Sequence, residues 1–148
     1  MLKQASRLIL SPLARGLFRA KIVGRKNVPR EGAVILASNH LSFIDSVVIT
    51  LFAPRSVSFL AKESYFTTPG FTGTVSRLFF TSIGAIPVSR GVGQAAQDAL
   101  DSGLSLLQDG EAFAVYPEGT RSRDGKLYRG KTGVAWLALN AGVPVVPV

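Results

Sequence analysis

The sequence predicts an α/β fold with a largely parallel sheet flanked by helices. Short continuous apolar runs such as AVILAS and EAFAVYP are typical of strands buried on both faces. Between such runs lie stretches with helical spacing of apolar residues, most clearly over residues 94–110. The two kinds of segment alternate along the chain, which is the order found in parallel sheets built from strand–helix–strand units.

The elements are predicted in order from these patterns and from their Gly and Pro stops. The strands are expected at residues 33–38, 56–61, 84–88, 111–117 and 143–148. The helices are expected at residues 43–53, 73–81, 94–110 and 131–142, with Pro54, Gly110 and Gly142 as stops. Residues 116–130 read as a long polar loop. Since residue 148 falls inside an apparent strand, we expect the C-terminal part of the fold to lie beyond it.

Composition limits the possible functions. The chain has 148 residues, enough for one domain, with 47% apolar residues and a mean hydropathy of +0.29. No apolar run approaches the roughly 18 residues that a spanning helix needs. The absence of cysteine excludes disulfides and thiolate chemistry. A single histidine without paired carboxylates argues against a catalytic metal, and we expect neither a metal nor a resident cofactor.

The positive charge lies at the N-terminus. Residues 1–30 hold eight basic residues and no acidic one, and the remaining chain holds nine of each, so the net charge of +8 belongs to this segment. Interleaved leucines make residues 1–22 a basic amphipathic membrane-association segment, predicted as two helical pieces at 3–10 and 12–20. A helix packed on the domain's own core is equally compatible, and a transit peptide is conceivable. Nucleic acid is not expected as a partner, because no aromatic stacking set accompanies the charge.

The only histidine, His40, precedes Asp45 by five residues in SNHLSFIDS. Two helical residues at this spacing would point about 140° apart, so His40 must precede the helix and Asp45 must lie in its first turns, with Asn39 or Ser42 near the cap. A carboxylate on one ring nitrogen leaves the other nitrogen free to act as a base. The alternative is that His40 only caps the helix. Three nearby serines are possible nucleophiles, although none lies in a nucleophile-elbow pattern.

Two further groups of polar residues follow predicted strands. YPEGTRS places Glu118, Gly119, Thr120 and Arg121 after one strand, and GAIPVSR places Arg90 after another. An arginine fork suits a phosphate, and glycine lets the backbone approach it. Each group alone is compatible with an ordinary surface turn. Together with His40, however, they would converge at one edge of a parallel sheet. This convergence favours a phosphate-bearing substrate with a hydroxyl offered to His40.

Four blocks in this order resemble the glycerolipid acyltransferase family, which includes the 1-acylglycerol-3-phosphate acyltransferases. NHLSFID is similar to its N-H-x4-D block and GAIPVSR to its second block. YPEGTRS is similar to F-P-E-G-T-R-S, with Tyr116 in place of the usual Phe, and VPVVPV is similar to V-P-[IV]-x-P-V. The resemblance covers residues 39–148. It implies a glycerol-3-phosphate acyltransferase-like fold, with an acyltransferase domain at residues 23–148.

The resemblance also implies a reaction and a set of site residues. The reaction is acyl transfer from acyl-CoA or acyl carrier protein, as co-substrate, to the hydroxyl of lysophosphatidic acid, giving phosphatidic acid for phospholipid biosynthesis. His40 is then the base and Asp45 its orienting partner. The expected substrate-binding residues are Asn39, Arg90, Glu118, Gly119, Thr120, Arg121 and Lys131. Leu78, Phe79 and Phe80 are candidates for an acyl groove, although such residues more often belong to the core.

Alternatives remain within the class and outside it. The acceptor could instead be glycerol-3-phosphate or another lysophospholipid. A protein of another class, a non-catalytic module that binds anionic membranes through residues 1–30, would share the basic segment. For the enzyme we expect peripheral association with the cytoplasmic face of the plasma membrane.

Overall fold

A computed structural model describes residues 2–89 and 93–148, with side chains from residue 8 onward. It shows five strands, β1 Val34–Ala37, β2 Val57–Lys62, β3 Ala85–Val88, β4 Ala112–Val115 and β5 Val145–Pro147. The helices are α1 Leu2–Phe18, α2 Ile44–Phe52, α3 Ser64–Thr67, α4 Gly70–Ser82, α5 Gln94–Gln108 and α6 Gly133–Ala141, with a 3-10 turn at Arg25–Asn27. All observed strand pairs are parallel, which confirms the predicted α/β fold.

The sheet has the order β3-β2-β4-β1-β5, so β1 and β4 lie inside it. Leu36 of β1 is in register with Ala114 of β4 on one side and with Val146 of β5 on the other. Val34, Ile35 and Leu36 are almost fully buried. This explains the unbroken apolar run of the sequence, because both faces of these strands meet apolar side chains rather than water.

Alternate residues of β1 face two different cores. Val34 and Leu36 pack on the side of α2 with Val57, Phe59 and Phe80. Ile35 packs on the opposite side with Phe113 of β4, Leu107 of α5 and Leu137 of α6. Gly103 permits this second contact, because a Cβ there would lie only 2.8 Å from the Phe113 ring.

The chain leaves β1 and β4 in opposite directions. From β1 it crosses over β4 to reach β2, and from β4 it crosses over β1 to reach β5. The first connection runs over the face of the sheet that α2 covers, and the second over the face that α6 covers. In open parallel sheets, neighbouring strands whose connections leave towards opposite faces form a crevice at their carboxyl ends, and ligands bind there. The topology therefore places the residues after Ala37 and after Val115 on the two sides of one crevice.

Most predicted elements are observed within one to three residues, but the short helix α3 and the 3-10 turn were not predicted, and one predicted helix break is absent. The predicted break at Ser11–Pro12 is wrong, because α1 runs through Pro12 as a single helix. Proline removes one backbone hydrogen-bond donor, but its φ is compatible with a helix. Beyond Pro12, the Arg15 guanidinium lies 5.9 Å from the Phe52 ring centre and so contacts α2. Helix α4 begins at Gly70 instead of residue 73. Among the described residues, none of the helices combines the length and hydropathy required to cross a membrane.

Candidate active site

The turn after β1 holds His40 and Asp45 together, as their spacing predicts. His40 lies before α2, and Asp45 lies in the first turn of that helix. The Asp45 Oδ2 atom is 3.0 Å from Nδ1 of His40 and accepts the backbone N–H groups of Leu41, at 2.8 Å, and Ser42, at 2.7 Å. One carboxylate oxygen therefore closes the turn and orients the ring.

These hydrogen bonds also set the charge of Asp45. Burial raises the pKa of this carboxyl group, but the hydrogen bonds from Ser42, His40 and Leu41 outweigh burial and hold the pKa below its ordinary value. An ionised Asp45 makes Nδ1 the protonated nitrogen of a neutral His40 ring. Within the described residues Nε2 has no hydrogen-bond partner, so its lone pair is available to an incoming donor.

The ring of Tyr116 stacks on His40. Tyr116 directly follows β4, and its ring centre lies 3.8 Å from that of His40 at an interplanar angle of 11°. Its hydroxyl group is 2.6 Å from Ser46 Oγ, which is buried in α2. Burial raises the pKa of Tyr116 to about 12, so the phenol is neutral. This contact was not predicted; the replacement of the usual Phe by Tyr was its only signal in the sequence.

Ser46 is therefore not a free nucleophile. Its hydroxyl group is engaged by Tyr116, and the Ser42 hydroxyl group accepts the N–H of Ile44 at 3.4 Å. In the part of the chain that the structure describes, no serine hydroxyl is hydrogen-bonded to His40. The histidine is thus arranged as a base for an incoming group rather than for a serine of the protein.

The loop after β4 is tied to the histidine turn. The backbone N–H of Ser122 donates to the carbonyl oxygen of His40 at 2.7 Å, and the N–H of Lys131 donates to Pro117 at 2.8 Å. These bonds bring the loop, which carries five basic residues and one acidic residue between positions 121 and 131, to the histidine side of the crevice. The predicted proximity of the first and third blocks is therefore observed.

Glu118 lies under this loop and is only 4% exposed. Its Oε2 accepts the N–H of Tyr128 at 3.3 Å, whereas its buried Oε1 has no partner among the described residues. The sequence is compatible with two roles for Glu118, which are to orient Arg121 or to accept a hydrogen bond from a hydroxyl group of a substrate. No ion pair joins Glu118 to Arg121, so the first role is not observed. The free acceptor is compatible with the second role.

Gly119 and Lys131 are in contact. Gly119 has φ +69°, and a Cβ there would lie 3.3 Å from Nζ of Lys131. Glycine thus permits both the left-handed backbone and the close passage of the lysine side chain. Asn39, Thr120 and Arg121 are exposed at the same edge of the sheet.

Arg90 lies outside the described residues, so its predicted convergence with His40 stays a prediction. Strand β3, which precedes Arg90, is an edge strand separated from β4 by β2.

An apolar groove of about 1110 Å³ reaches the same turn. Its walls come from α1, α2 and β5, including Phe18, Ile44 and Val146, and Asn39 and Asp45 lie along it. Leu78, Phe79 and Phe80 do not line this groove. Phe80 is buried in the core against the rings of Tyr65 and Phe66, as the plainer interpretation expects, whereas Leu78 and Phe79 are exposed.

Comparison with known proteins defines the class first. The fold is a parallel sheet with a histidine–aspartate pair at its switch point. The chain matches the family model described as Acyltransferase over residues 19–148, and it belongs to this family. The four sequence blocks are thereby confirmed as a family resemblance.

Individual proteins with a similar sequence are 1-acyl-sn-glycerol-3-phosphate acyltransferases. The chain is 32% identical over 132 residues to 1-acyl-sn-glycerol-3-phosphate acyltransferase BAT2, chloroplastic, of Brassica napus, covering 88% of this chain and 37% of that protein. It is 28% identical to 1-acyl-sn-glycerol-3-phosphate acyltransferase of Borreliella burgdorferi, covering 86% of this chain and 49% of that protein. The chain thus spans between a third and a half of these relatives.

A solved structure shares the fold. The crystal structure of the 1-acyl-sn-glycerophosphate (LPA) acyltransferase PlsC from Thermotoga maritima superposes with a TM-score of 0.68 at 26% identity. The match covers 98% of this chain and 55% of that one. The sheet and the histidine turn therefore belong to a fold that a named acyltransferase also has.

Proposed function

We propose that this chain carries the catalytic site of a 1-acylglycerol-3-phosphate O-acyltransferase, which transfers a fatty acyl group from acyl-CoA or acyl carrier protein to lysophosphatidic acid. The observation that carries the proposal is the His40–Asp45 pair, with Nδ1 held at 3.0 Å from the carboxylate and Nε2 without a partner among the described residues. The names of the relatives support the acceptor, since several are 1-acyl-sn-glycerol-3-phosphate acyltransferases.

The loop after β4 supplies the chemistry for the acceptor. Arg121 and Lys131 are cations beside the crevice, and both can pair with a phosphate. The unpartnered Glu118 Oε1 would accept a hydrogen bond from a glycerol hydroxyl group, which removes the cost of a buried unsatisfied oxygen. Asn39, Gly119, Thr120 and Arg90 complete the proposed binding set.

The apolar groove supplies a place for an acyl chain. It is lined by aliphatic and aromatic side chains and runs along Asp45, so a chain lying in it would have its carbonyl group near His40. Each buried methylene group would contribute roughly 0.8 kcal/mol.

The proposed reaction is a direct transfer. Nε2 of His40 takes the proton of the acceptor hydroxyl group as its oxygen forms a bond to the thioester carbonyl carbon. The carbon–sulfur bond then breaks, and the thiolate leaves with the proton returned by the imidazolium. Asp45 stabilises that imidazolium through Nδ1. No acyl-enzyme is needed, which agrees with the engaged hydroxyl group of Ser46.

Membrane association is a second part of the proposal. Helix α1 exposes Leu8, Leu13, Leu17 and Phe18 beside the basic residues Arg15, Arg19 and Lys21. Apolar side chains flanked by cations suit the interface of an anionic bilayer, where a lysophospholipid acceptor would lie. Peripheral binding would therefore bring the acceptor to the crevice.

Thiol release tests the enzyme proposal. Palmitoyl-CoA is incubated with and without lysophosphatidic acid, and free thiol is followed with a reagent to which this cysteine-free chain contributes no background. Acceptor-dependent release is expected, with a loss of about 10²–10⁴ in rate for His40→Ala. Glycerol-3-phosphate and an acyl carrier protein donor are tested in parallel. Silence with every donor and acceptor would contradict the proposal and favour a membrane-binding module.

A further inference from the structure

We propose that Tyr116 is a positioning residue for the base, which fixes the plane of the His40 ring through a stack that is itself anchored by Ser46. The inference deepens the proposed function, on which its kinetic part rests. Its structural part rests only on three contacts of described residues: His40 with Asp45, His40 with Tyr116 and Tyr116 with Ser46.

The hydrogen bond to Asp45 orients the imidazole ring only in part. It restrains the position of Nδ1, but the two side-chain torsions of His40 can still change together and turn the plane of the ring. Such a rotation would swing Nε2 away from an acceptor hydroxyl group while the Asp45 bond survived. A parallel ring at a centroid distance of 3.8 Å removes this freedom, because it holds the imidazole plane by its face.

The tyrosine can do this because it is fixed at both ends. Its backbone leaves β4 directly after Val115, and its hydroxyl group is 2.6 Å from Ser46 on α2. Asp45 and Ser46 are consecutive residues of α2. Asp45 contacts the histidine ring, and Ser46 contacts the tyrosine that stacks on it. Any movement of α2 therefore carries both supports together.

The stack has an electrostatic consequence as well. When His40 takes a proton, the face of a neutral phenol beside it attracts the resulting cation. Tyr116 stays neutral because burial raises its pKa to about 12. Asp45 is the charged group that faces the same ring, and in the described part of the chain no basic side chain forms an ion pair there.

The first experiment compares variants by steady-state acyl transfer. Tyr116→Leu removes the ring and is expected to lower kcat roughly ten- to a hundredfold with little change in KM, because substrate binding does not use the ring. Tyr116→Phe retains the ring and should restore most of kcat. Ser46→Ala releases the hydroxyl group and should lie between them, with no added loss when combined with Tyr116→Phe.

The matched control is Phe113→Leu, another loss of an aromatic ring from β4. Phe113 is 1% exposed and packs in the opposite core, away from the histidine. Its loss should lower the thermal unfolding temperature without lowering kcat selectively. A Tyr116→Leu variant with the same temperature shift and an unchanged kcat would overturn the proposal.

The second experiment does not depend on activity. Since the chain has one histidine, a long-range ¹H–¹⁵N spectrum of untagged protein shows a single imidazole. We expect a protonated Nδ1, an unprotonated Nε2 and ring protons shifted upfield by the Tyr116 ring current. Tyr116→Phe should retain the shift and Tyr116→Leu should lose it.

The two experiments separate the possible failures. Ring-proton signals in the wild type that match an unstacked histidine, or that do not change in Tyr116→Leu, would overturn the positioning role whatever the kinetics. A wild type without turnover but with the upfield-shifted signals would count against the proposed function, while the anchored stack would stand.

Discussion

The turn after β1 and helix α1 were both predicted from local sequence patterns. In the structure they differ in how many of their groups have partners within the protein. In the turn, Asp45 is engaged by His40, Leu41 and Ser42. In α1, Leu8, Leu13 and Leu17 remain 81%, 64% and 74% exposed. The turn is satisfied by its own chain, whereas the apolar face of the helix is left largely in contact with water.

This difference separates two kinds of function. A base must be held in one orientation, and the protein's own hydrogen bonds and stacking supply that orientation. A surface that meets a bilayer needs no fixed internal partner, because its apolar groups are buried only on binding. Substitutions in the turn should therefore act on turnover, and substitutions on the exposed face of α1 should act on membrane binding.

The largest expected effect comes from Asp45→Asn. The amide oxygen can still accept the N–H groups of Leu41 and Ser42, but it no longer stabilises a protonated His40. We expect kcat for thiol release to fall by about 10²–10⁴ while the fold persists. Asp109→Asn, at an exposed position after α5, is the matched control. Full turnover of the Asp45 variant would remove the aspartate from the mechanism.

The next effect concerns α1. Leu17→Glu should weaken binding to vesicles that contain anionic phospholipid roughly ten- to a hundredfold, because burying one leucine side chain is worth about 1.5–3 kcal/mol. Leu139→Glu, at an equally exposed position on α6, should leave binding unchanged. Sedimentation with vesicles measures both variants. Equal losses would mean that α1 is not the membrane-binding surface.

A smaller effect is expected for the contact between Gly119 and Lys131. Gly119→Ala adds about 1–3 kcal/mol of backbone strain and displaces the lysine, so KM for the phosphate acceptor should rise about threefold or more. Gly125→Ala carries similar strain at φ +75° with no atom within 4 Å, and should cost stability alone. If both variants have the same KM, Lys131 does not bind the acceptor.

The smallest effect is on stability at low pH. The pKa of Asp45 is lower in the folded chain than its ordinary value of 3.8, so its stabilising contribution is present above that value and is lost as the pH falls through the folded pKa. The stability advantage of the wild type over Asp45→Asn should therefore shrink between about pH 5 and about pH 2. Urea unfolding at several pH values measures it, and a growing advantage would contradict this sign.

Individual residues show which features of the structure the sequence patterns predicted and which they did not. The spacing of His40 and Asp45 excluded a shared helix face, and the structure has the predicted turn. The Tyr116–Ser46 contact joins residues 70 positions apart, and such a separation leaves no periodic trace. For the same reason the apolar groove beside this turn was not predicted, since its walls come from α1, α2 and β5 rather than from one apolar run.

By itself, the sequence determined the alternation of strands and helices, the basic N-terminal segment, the histidine turn and the loop of cations after β4. These follow from local rules, because hydrogen-bond periodicity and turn geometry act over a few residues. Only the tertiary structure decided that β1 lies beside β4, that a tyrosine stacks on the histidine and that Glu118 has a buried oxygen without a partner among the described residues. Those facts depend on which distant segments pack together, and packing is set by the whole sheet rather than by any one stretch of it.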